Sequence, residues 1–403
     1  MKKRRSVILS LLFSVLLQLL STAVFASGTD TLPDTDSIPA LSYAAGDSAP
    51  DVSAASAILM TEDGDVLWER AADTRRKPAS TTKIMTALTV LRSETELDTC
   101  VKIPAAAVGV EGSSVYLYEG EELTLRHLLY AMLMESANDA AAAIAVSVGG
   151  SVADFADRMN ETAVSLGLEN THFENPHGLD NENHYTTARE LALMTQAAMK
   201  YDEFREMVST YKMEIPLKGN EGIRLLVNHN RLLKSLDGCI GVKTGYTKAS
   251  GRCLVSACTR DGVTLICVTL NAPDDWNDHT ALYDWGFAQV ERVTLSEVGE
   301  QYAVLPVVGA VTDAADGDAM AAVRNEEGLS VVLSRTGQDI SKRVLLPRFL
   351  YAPVTAGDIV GYVVYYNGKT EIGRLALYAS ESVELYKKTT IWETIKAILH
   401  LKI

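Results

Sequence analysis

Three short groups of residues in this chain could do chemistry together: Ser80 with Lys83, Ser136 with Asn138, and Lys243 with Thr244 and Gly245. A serine hydroxyl is a poor nucleophile at neutral pH and needs a base within hydrogen-bond distance. Ser80 and Lys83 stand three residues apart at the head of a run (Ile84, Met85, Ala87, Leu88, Leu91) with helical apolar spacing. Positions i and i+3 share a helix face, so the amine reaches the hydroxyl. It serves as a base once burial and a second cation lower its pKa. The helix start adds free backbone N–H groups, which favour negative charge beside Ser80. Alone, the pair says little. A second Ser-x-x-Lys, Ser209–Lys212, precedes an alternating, strand-like stretch and opens no helix. The plain reading of Ser80 is a helix N-cap followed by an exposed lysine.

The other two groups change the balance. Ser136 offers a hydroxyl that can relay protons between a leaving group and Lys83. Asn138 can donate its amide to a substrate carbonyl and also hold Lys83. Lys243 adds positive charge near a substrate carboxylate and helps keep Lys83 neutral. Gly245 lets a substrate backbone approach its strand closely. Any one triplet is common; all three in order, at a helix start, a helix–helix loop and a strand, are not.

The elements that must position them follow from periodicity and punctuation. Ser56–Met60 and Val66–Arg70 read as a hairpin around Glu62-Asp63-Gly64-Asp65, leading into the Ser80 helix. Thr124 caps an apolar helix that stops at Glu135–Asn138, and another helix begins at Asp139. Helices are expected at Val152–Leu166 and Ala188–Met199, the latter capped by Thr186 or Thr187. Strands return at Met213–Leu217 and around Lys243, which is expected on an edge strand. Arg252–Thr259 and Val263–Leu270 are joined by Asp261-Gly262, a hairpin signal. A helix over Asp278–Gln289 closes the unit. Strands from both sequence ends framing a helical insert fit an α+β sheet covered by helices.

The ends of the chain carry addresses. Lys2, Lys3, Arg4 and Arg5 precede an apolar run, and Val24-Phe25-Ala26 supplies a cleavage site, so residues 1–26 read as a secretory signal peptide. Its removal takes the formal charge from −15 to −19, which argues against nucleic acid as a partner. Residues 27–50 form an acidic, proline-containing linker expected to be disordered. The α+β unit then spans 51–290. Residues 291–383 hold short apolar runs broken by Gly, Asp and Asn, a small all-β domain with no chemistry of its own. Residues 384–403 carry Ile391, Ile395, Ile398 and Leu399 at helical spacing with Trp392 and four lysines. This suits an amphipathic helix on an anionic membrane surface; packing on the β-domain is the alternative. The five cysteines form no CxxC pair and the seven histidines no HExxH, so neither a disulfide framework nor a metal site is implied, His177 and His184 included.

The triplets Ser80-x-x-Lys83, Ser136-Ala137-Asn138 and Lys243-Thr244-Gly245 match the signature shared by penicillin-binding proteins and class A β-lactamases. Beyond them, RKPASTTKIMTAL, GSSVYLYEGEELTLRHLLYAMLMESANDAAAAIA, FENPHGLD followed by HYTTARELALM, and GVKTGYTKASGRCLV resemble the low-molecular-mass serine D-alanyl-D-alanine carboxypeptidases of peptidase family S11. With the β-domain and terminal helix, the resemblance covers nearly the whole mature chain. It implies a DD-peptidase/β-lactamase-like domain and an enzyme trimming D-Ala-D-Ala ends of peptidoglycan stem peptides at the outer face of a bacterial cytoplasmic membrane. Ser80 is then acylated, Lys83 is the base and Ser136 the relay. Asn138, Lys243, Thr244 and Gly245 bind substrate, and the backbone N–H groups of Ser80 and Tyr246 form the oxyanion hole. β-Lactams become inhibitors, and no cofactor or metal is implied.

One feature departs from the family pattern. Many relatives carry an arginine after the third motif that binds the substrate's terminal carboxylate, and none occurs from Asp261 to Val290. His279, or Lys243 with Thr244, is expected to take its place. The alternatives are a class A-like β-lactamase, whose E-x-x-L-N loop is missing here, and a catalytically inactive peptidoglycan-binding scaffold, against which the intact motif residues speak.

Overall fold

The computed structural model describes residues 49–217, 222–310 and 319–386. The expected signal peptide, all but the end of the expected linker, and residues 387–403 of the expected amphipathic helix lie outside them.

Ser56–Thr61 (β1) is buried at every position. Ile58 and Met60 enter one apolar core, Ala57 and Leu59 another, because successive strand residues point to opposite faces. Val66–Arg70 (β2) returns beside it. The turn Ala79–Thr82 is 3₁₀ and runs directly into a helix, Lys83–Arg92 (α1). Ser80 therefore precedes the α-helix proper, and the tighter winding eclipses i and i+3. Cys100–Lys102 (β3) pairs with Glu122–Thr124 (β4). The helical insert continues with Leu125–Met134 (α2), Asn138–Gly149 (α3), Val152–Ser165 (α4), Ala188–Ala198 (α5) and Asp202–Ser209 (α6). Thr124 caps α2 by accepting from His127 N, and Thr187 caps α5 by accepting from Glu190 N.

Lys212–Leu217 (β5) pairs with Gly222–Val227 (β6), and Leu232–Ser235 (α7) follows. Ser209 ends α6 and Lys212 opens β5, so this second Ser-x-x-Lys spans a helix end and a strand. Cys239–Thr247 (β7), Gly251–Arg260 (β8) and Val263–Leu270 (β9) complete a five-stranded antiparallel sheet in the order β2-β1-β9-β8-β7. Lys243 thus lies on an edge strand. Asp261 and Gly262 turn β8 into β9 with φ of 50° and 74°, the twist that suits a two-residue hairpin.

The helical insert covers one face of the sheet. Asp275–Gln289 (α8) covers the other, where Leu282 and Tyr283 pack on Leu59, Leu254 and Leu265. This helix begins a turn earlier than its sequence pattern indicates, with Asp278 N donating to Asp274 O in its first turn.

Val290–Ser296 (β10) continues without a break from α8. Gln301–Val308 (β11), Ala319–Arg324 (β12), Leu329–Ser334 (β13), Ile340–Leu345 (β14), Leu350–Tyr351 (β15), Ile359–Asn367 (β16) and Thr370–Ala379 (β17) complete an all-β unit. A β10–β13 ladder packs on a six-stranded sheet ordered β14-β16-β17-β12-β11-β15 through Leu305, Val323, Leu333, Val363 and Leu377.

Gly286 is where α8 comes closest to the sheet. A Cβ there would stand 2.5 Å from Leu59 Cδ2 and 3.1 Å from Leu265 Cδ1. Gly286→Val should therefore lower stability by about 1–3 kcal/mol through overpacking. The check is a lower urea midpoint at unchanged slope.

Candidate active site

Lys83 is wholly buried, and its Nζ sits among three oxygens: Ser80 Oγ at 3.0 Å, Asn138 Oδ1 at 2.7 Å and the His177 carbonyl at 2.7 Å. Two of these can only accept. The carbonyl has no hydrogen, and the Asn138 amide is oriented by Nδ2, which donates to Glu111 O at 2.6 Å. A neutral amine has two hydrogens and one lone pair. With both hydrogens committed to acceptors, the lone pair is left for the Ser80 O–H. Burial pushes the Lys83 pKa well below its ordinary value, the Lys243 charge adds to this, and Asp139 opposes it. Burial thus favours the neutral form, in which the lone pair can take the Ser80 proton.

Each support comes from a different segment. The FENPHGLD loop grips α1 with two successive carbonyls: Pro176 O accepts from Thr86 Oγ1 at 2.5 Å and His177 O from Lys83. Asn175 Oδ1 folds that loop by accepting the N–H groups of His177 and Gly178. Gly178 has φ +86°, and a Cβ there would lie 1.8 Å from Ala79 O, so only glycine fits against the Ser80 turn. His184 holds the same turn through Nε2 and Thr82 Oγ1 (2.8 Å), while its Nδ1 accepts from Glu174 N.

Asp139, at the start of α3, collects the loop before it. Its carboxylate accepts from Ser114 Oγ, Val115 N and Leu117 N, and Asn138 N donates to Ser113 O. Ser136 and Ala79 both adopt left-handed backbone, φ 59° and 51°, which is uncommon outside glycine and clusters at functional sites.

A cleft of about 570 Å³ opens in front of this arrangement, lined by Ser80, Ser136, Thr244, Gly245, Tyr246 and Arg252, among others. β7 forms one wall. A Cβ on Gly245 would lie 3.0 Å from Ser80 N, so the strand runs against the Ser80 turn. Lys243 is buried, its Nζ donates to Thr244 O at 3.0 Å, and burial lowers its pKa to about 7 against the pull of Glu135.

The structure thus gathers Ser80, Lys83 and Asn138 into direct contact, with Ser136, Thr244, Gly245 and Tyr246 on the cleft wall and Lys243 behind it. Asn138 is seen holding Lys83, and one amide hydrogen goes to Glu111 O, which leaves one for a substrate. His279 does not join them. It is fully buried under α8, with Nδ1 on Ser256 Oγ (2.7 Å) and Nε2 on Thr269 Oγ1 (2.9 Å), and burial lowers its pKa to about 3. Its ring faces the back of the sheet, so the expectation that it binds a carboxylate is corrected. Arg252, across from Tyr246 in the β7–β8 register, is a cleft cation, with Arg231, that the motifs do not include.

The D-alanyl-D-alanine carboxypeptidase family model (peptidase S11) matches residues 44–274, and that of the penicillin-binding protein 5 C-terminal domain matches residues 307–385. The chain belongs to the S11 D-alanyl-D-alanine carboxypeptidase family. The enzyme is 32% identical over 323 residues to D-alanyl-D-alanine carboxypeptidase DacF of Bacillus subtilis, covering 77% of this chain and 81% of DacF. It is 40% identical to a D-alanyl-D-alanine carboxypeptidase of Streptomyces strain K15 over 56% of this chain and 84% of the relative. Among solved structures, penicillin-binding protein 5 of Haemophilus influenzae aligns with a TM-score of 0.64 at 26% identity, over 84% of this chain and all of that one. That likeness extends across both the catalytic and the β-rich units.

The neutral partner at position 138 gives a pH test. Asn138→Asp replaces an amide oxygen with a carboxylate 2.7 Å from the amine. An opposite charge that close raises the lysine pKa by about 1–3 units, which removes the free base near neutrality. The acid limb of Ser80 acylation against pH should move upward by at least about one unit. An unmoved limb would show that the amine is not the titrating base.

Proposed function

We propose that the enzyme removes the terminal D-Ala from peptidoglycan stem peptides through an acyl-enzyme on Ser80. The observation that carries this reading is the buried Lys83 amine, 3.0 Å from Ser80 Oγ and 2.7 Å from two oxygens that can only accept.

Ser80 Oγ adds to the carbonyl carbon of the penultimate D-Ala while its proton passes to Lys83 Nζ. The new oxyanion is received by the backbone N–H groups of Ser80 and Tyr246; removing such a donor typically costs ~10²–10³ in rate. The C–N bond then breaks. The proton taken up by Lys83 returns to the departing amine of D-Ala through Ser136, whose hydroxyl shares the cleft with Ser80. A water, deprotonated by the same route in reverse, hydrolyses the ester and frees Ser80. Lys243 and Thr244 supply charge and a hydroxyl on the wall where the leaving residue lies. A β-lactam amide enters the same sequence, and acylation without fast deacylation makes it an inhibitor.

The basic-then-apolar N-terminus, the acidic linker and the lysine-rich amphipathic C-terminus support action at the outer face of a bacterial cytoplasmic membrane, with the segment after Tyr386 lying on an anionic surface; Leu385 and Tyr386 themselves pair with Ala310 and Gly309 of the β-rich unit.

Two measurements test this reading. After brief exposure to penicillin G, mass spectrometry should place a penicilloyl adduct on the Ser80 peptide, and Ser80→Ala should lose both the adduct and D-Ala release. Substantial activity in Ser80→Ala would sink the assignment, and fast adduct hydrolysis would point to a β-lactamase. Deleting residues 387–403 should release the protein from anionic vesicles with hydrolysis of soluble peptide unchanged; a truncated protein that stays bound would rule out the anchor.

A further inference from the structure

A carboxypeptidase must recognise a free carboxylate next to the bond it cuts, and His279 is turned away from the cleft. Lys243 is a poor direct partner: it is 1% exposed and donates its amine to Thr244 O. Arg252 is different. It projects from β8 opposite Tyr246, lines the cleft with Ser80, and keeps 42% of its side chain exposed.

Its orientation is fixed from one side. Nε and Nη2 donate to the same oxygen of Asp275, at 3.0 and 2.7 Å, and that carboxylate is itself only 4% exposed. A guanidinium has five N–H donors in a rigid plane. Asp275 occupies the fork made by Nε and Nη2, which leaves the fork made by Nη1 and Nη2 to accept a second carboxylate in two parallel bonds. The Trp276 ring lies beneath, 5.7 Å from the Arg252 guanidinium carbon and 6.0 Å from that of Arg231, which also lines the cleft. Two guanidiniums against one buried carboxylate leave this end of the cleft positive, in a chain whose formal charge is −15.

We propose that Arg252, oriented by Asp275 and assisted by Arg231, receives the C-terminal carboxylate of the peptide substrate. This rests on the carboxypeptidase reading above. Arg252 is the specificity-determining group and Asp275 a positioning residue.

The test uses one N-acylated peptide ending in D-Ala-D-Ala, as the free acid and as the C-terminal amide, with the same bond cut in both. Wild-type enzyme should favour the acid in kcat/KM. Arg252→Gln should lower the acid-to-amide ratio by about 10–100-fold, as expected for losing a charge-assisted bidentate contact, with the loss on the acid mainly in KM. Asp275→Asn should lower the ratio less, and Arg252→Lys, which keeps the charge without the fork, should fall between. Should Arg252→Gln fail to fold, the lysine variant carries the test alone. Equal losses on acid and amide, or an unchanged ratio, would overturn the proposal. Acylation of Ser80 by a penicillin methyl ester, which lacks the carboxylate, separates the two levels of inference. Wild-type enzyme that neither takes this label nor cuts either peptide would overturn the carboxypeptidase reading and this proposal with it.

Discussion

The constraint on which the rest of this site depends is an amine kept dry without a counter-ion. A buried ammonium requires an anion, and an anion in contact with Lys83 would keep it protonated and useless as a base. The fold meets the amine's hydrogen-bonding needs with neutral oxygens only, one from the Asn138 side chain and one from the His177 backbone. Asp139 is the adjacent acid, and its carboxylate is occupied by the N–H and hydroxyl groups of residues 114–117. It fixes the loop without touching the base. The second cation, Lys243, acts on Lys83 through its field, from a strand that comes late in the sequence.

Meeting that constraint requires segments that are far apart in the chain. The base and nucleophile come from one turn, the acceptors from α3 and the FENPHGLD loop, and the cleft wall from β7. At two of the joints, Ala79 and Ser136, beside or at a cleft hydroxyl, the backbone is left-handed. The half-exposed salt bridge of Arg252 with Asp275 joins β8 to the start of α8, so the two helical layers and the sheet all contribute to one cleft.

What could be read from the sequence was whatever a residue type announces. Ser80, Lys83, Ser136, Asn138 and the β7 triplet are side chains at fixed spacing, and Asp261-Gly262 is a turn with its own chemistry. The His177 carbonyl was not legible, because a backbone acceptor has no residue identity; its trace was an Asn-Pro-His-Gly turn whose partner lay 94 positions away. Asp139 and Arg252 were missed for related reasons. The first acts on a loop whose path composition does not reveal, and the second gains its place from the cross-strand register of β7 with β8. His279 was misjudged because the phase of α8 against the sheet decides which way its side chains face, and a local pattern does not contain that phase. The short helix α6 is held by its buried Phe204, Met207 and Val208, in a stretch whose other residues are mostly polar and do not advertise it.

The order of strands in the central sheet governs how the molecule comes into being. β1 pairs with β9, Ser56 opposite Leu270, so the first strand of the domain has its inner neighbour only after the last has been made. Contacts of such high sequence separation form late, since their loop-closure entropy must be met before they stabilise anything. Until then β1 and β2 make at most a lone hairpin, marginal in water. A growing chain can carry Ser80 and Lys83 on a nascent turn, yet β7 has no sheet to belong to, and without β7 the nucleophile has no opposing wall. Reactivity is thus withheld by topology from every incomplete product of the domain.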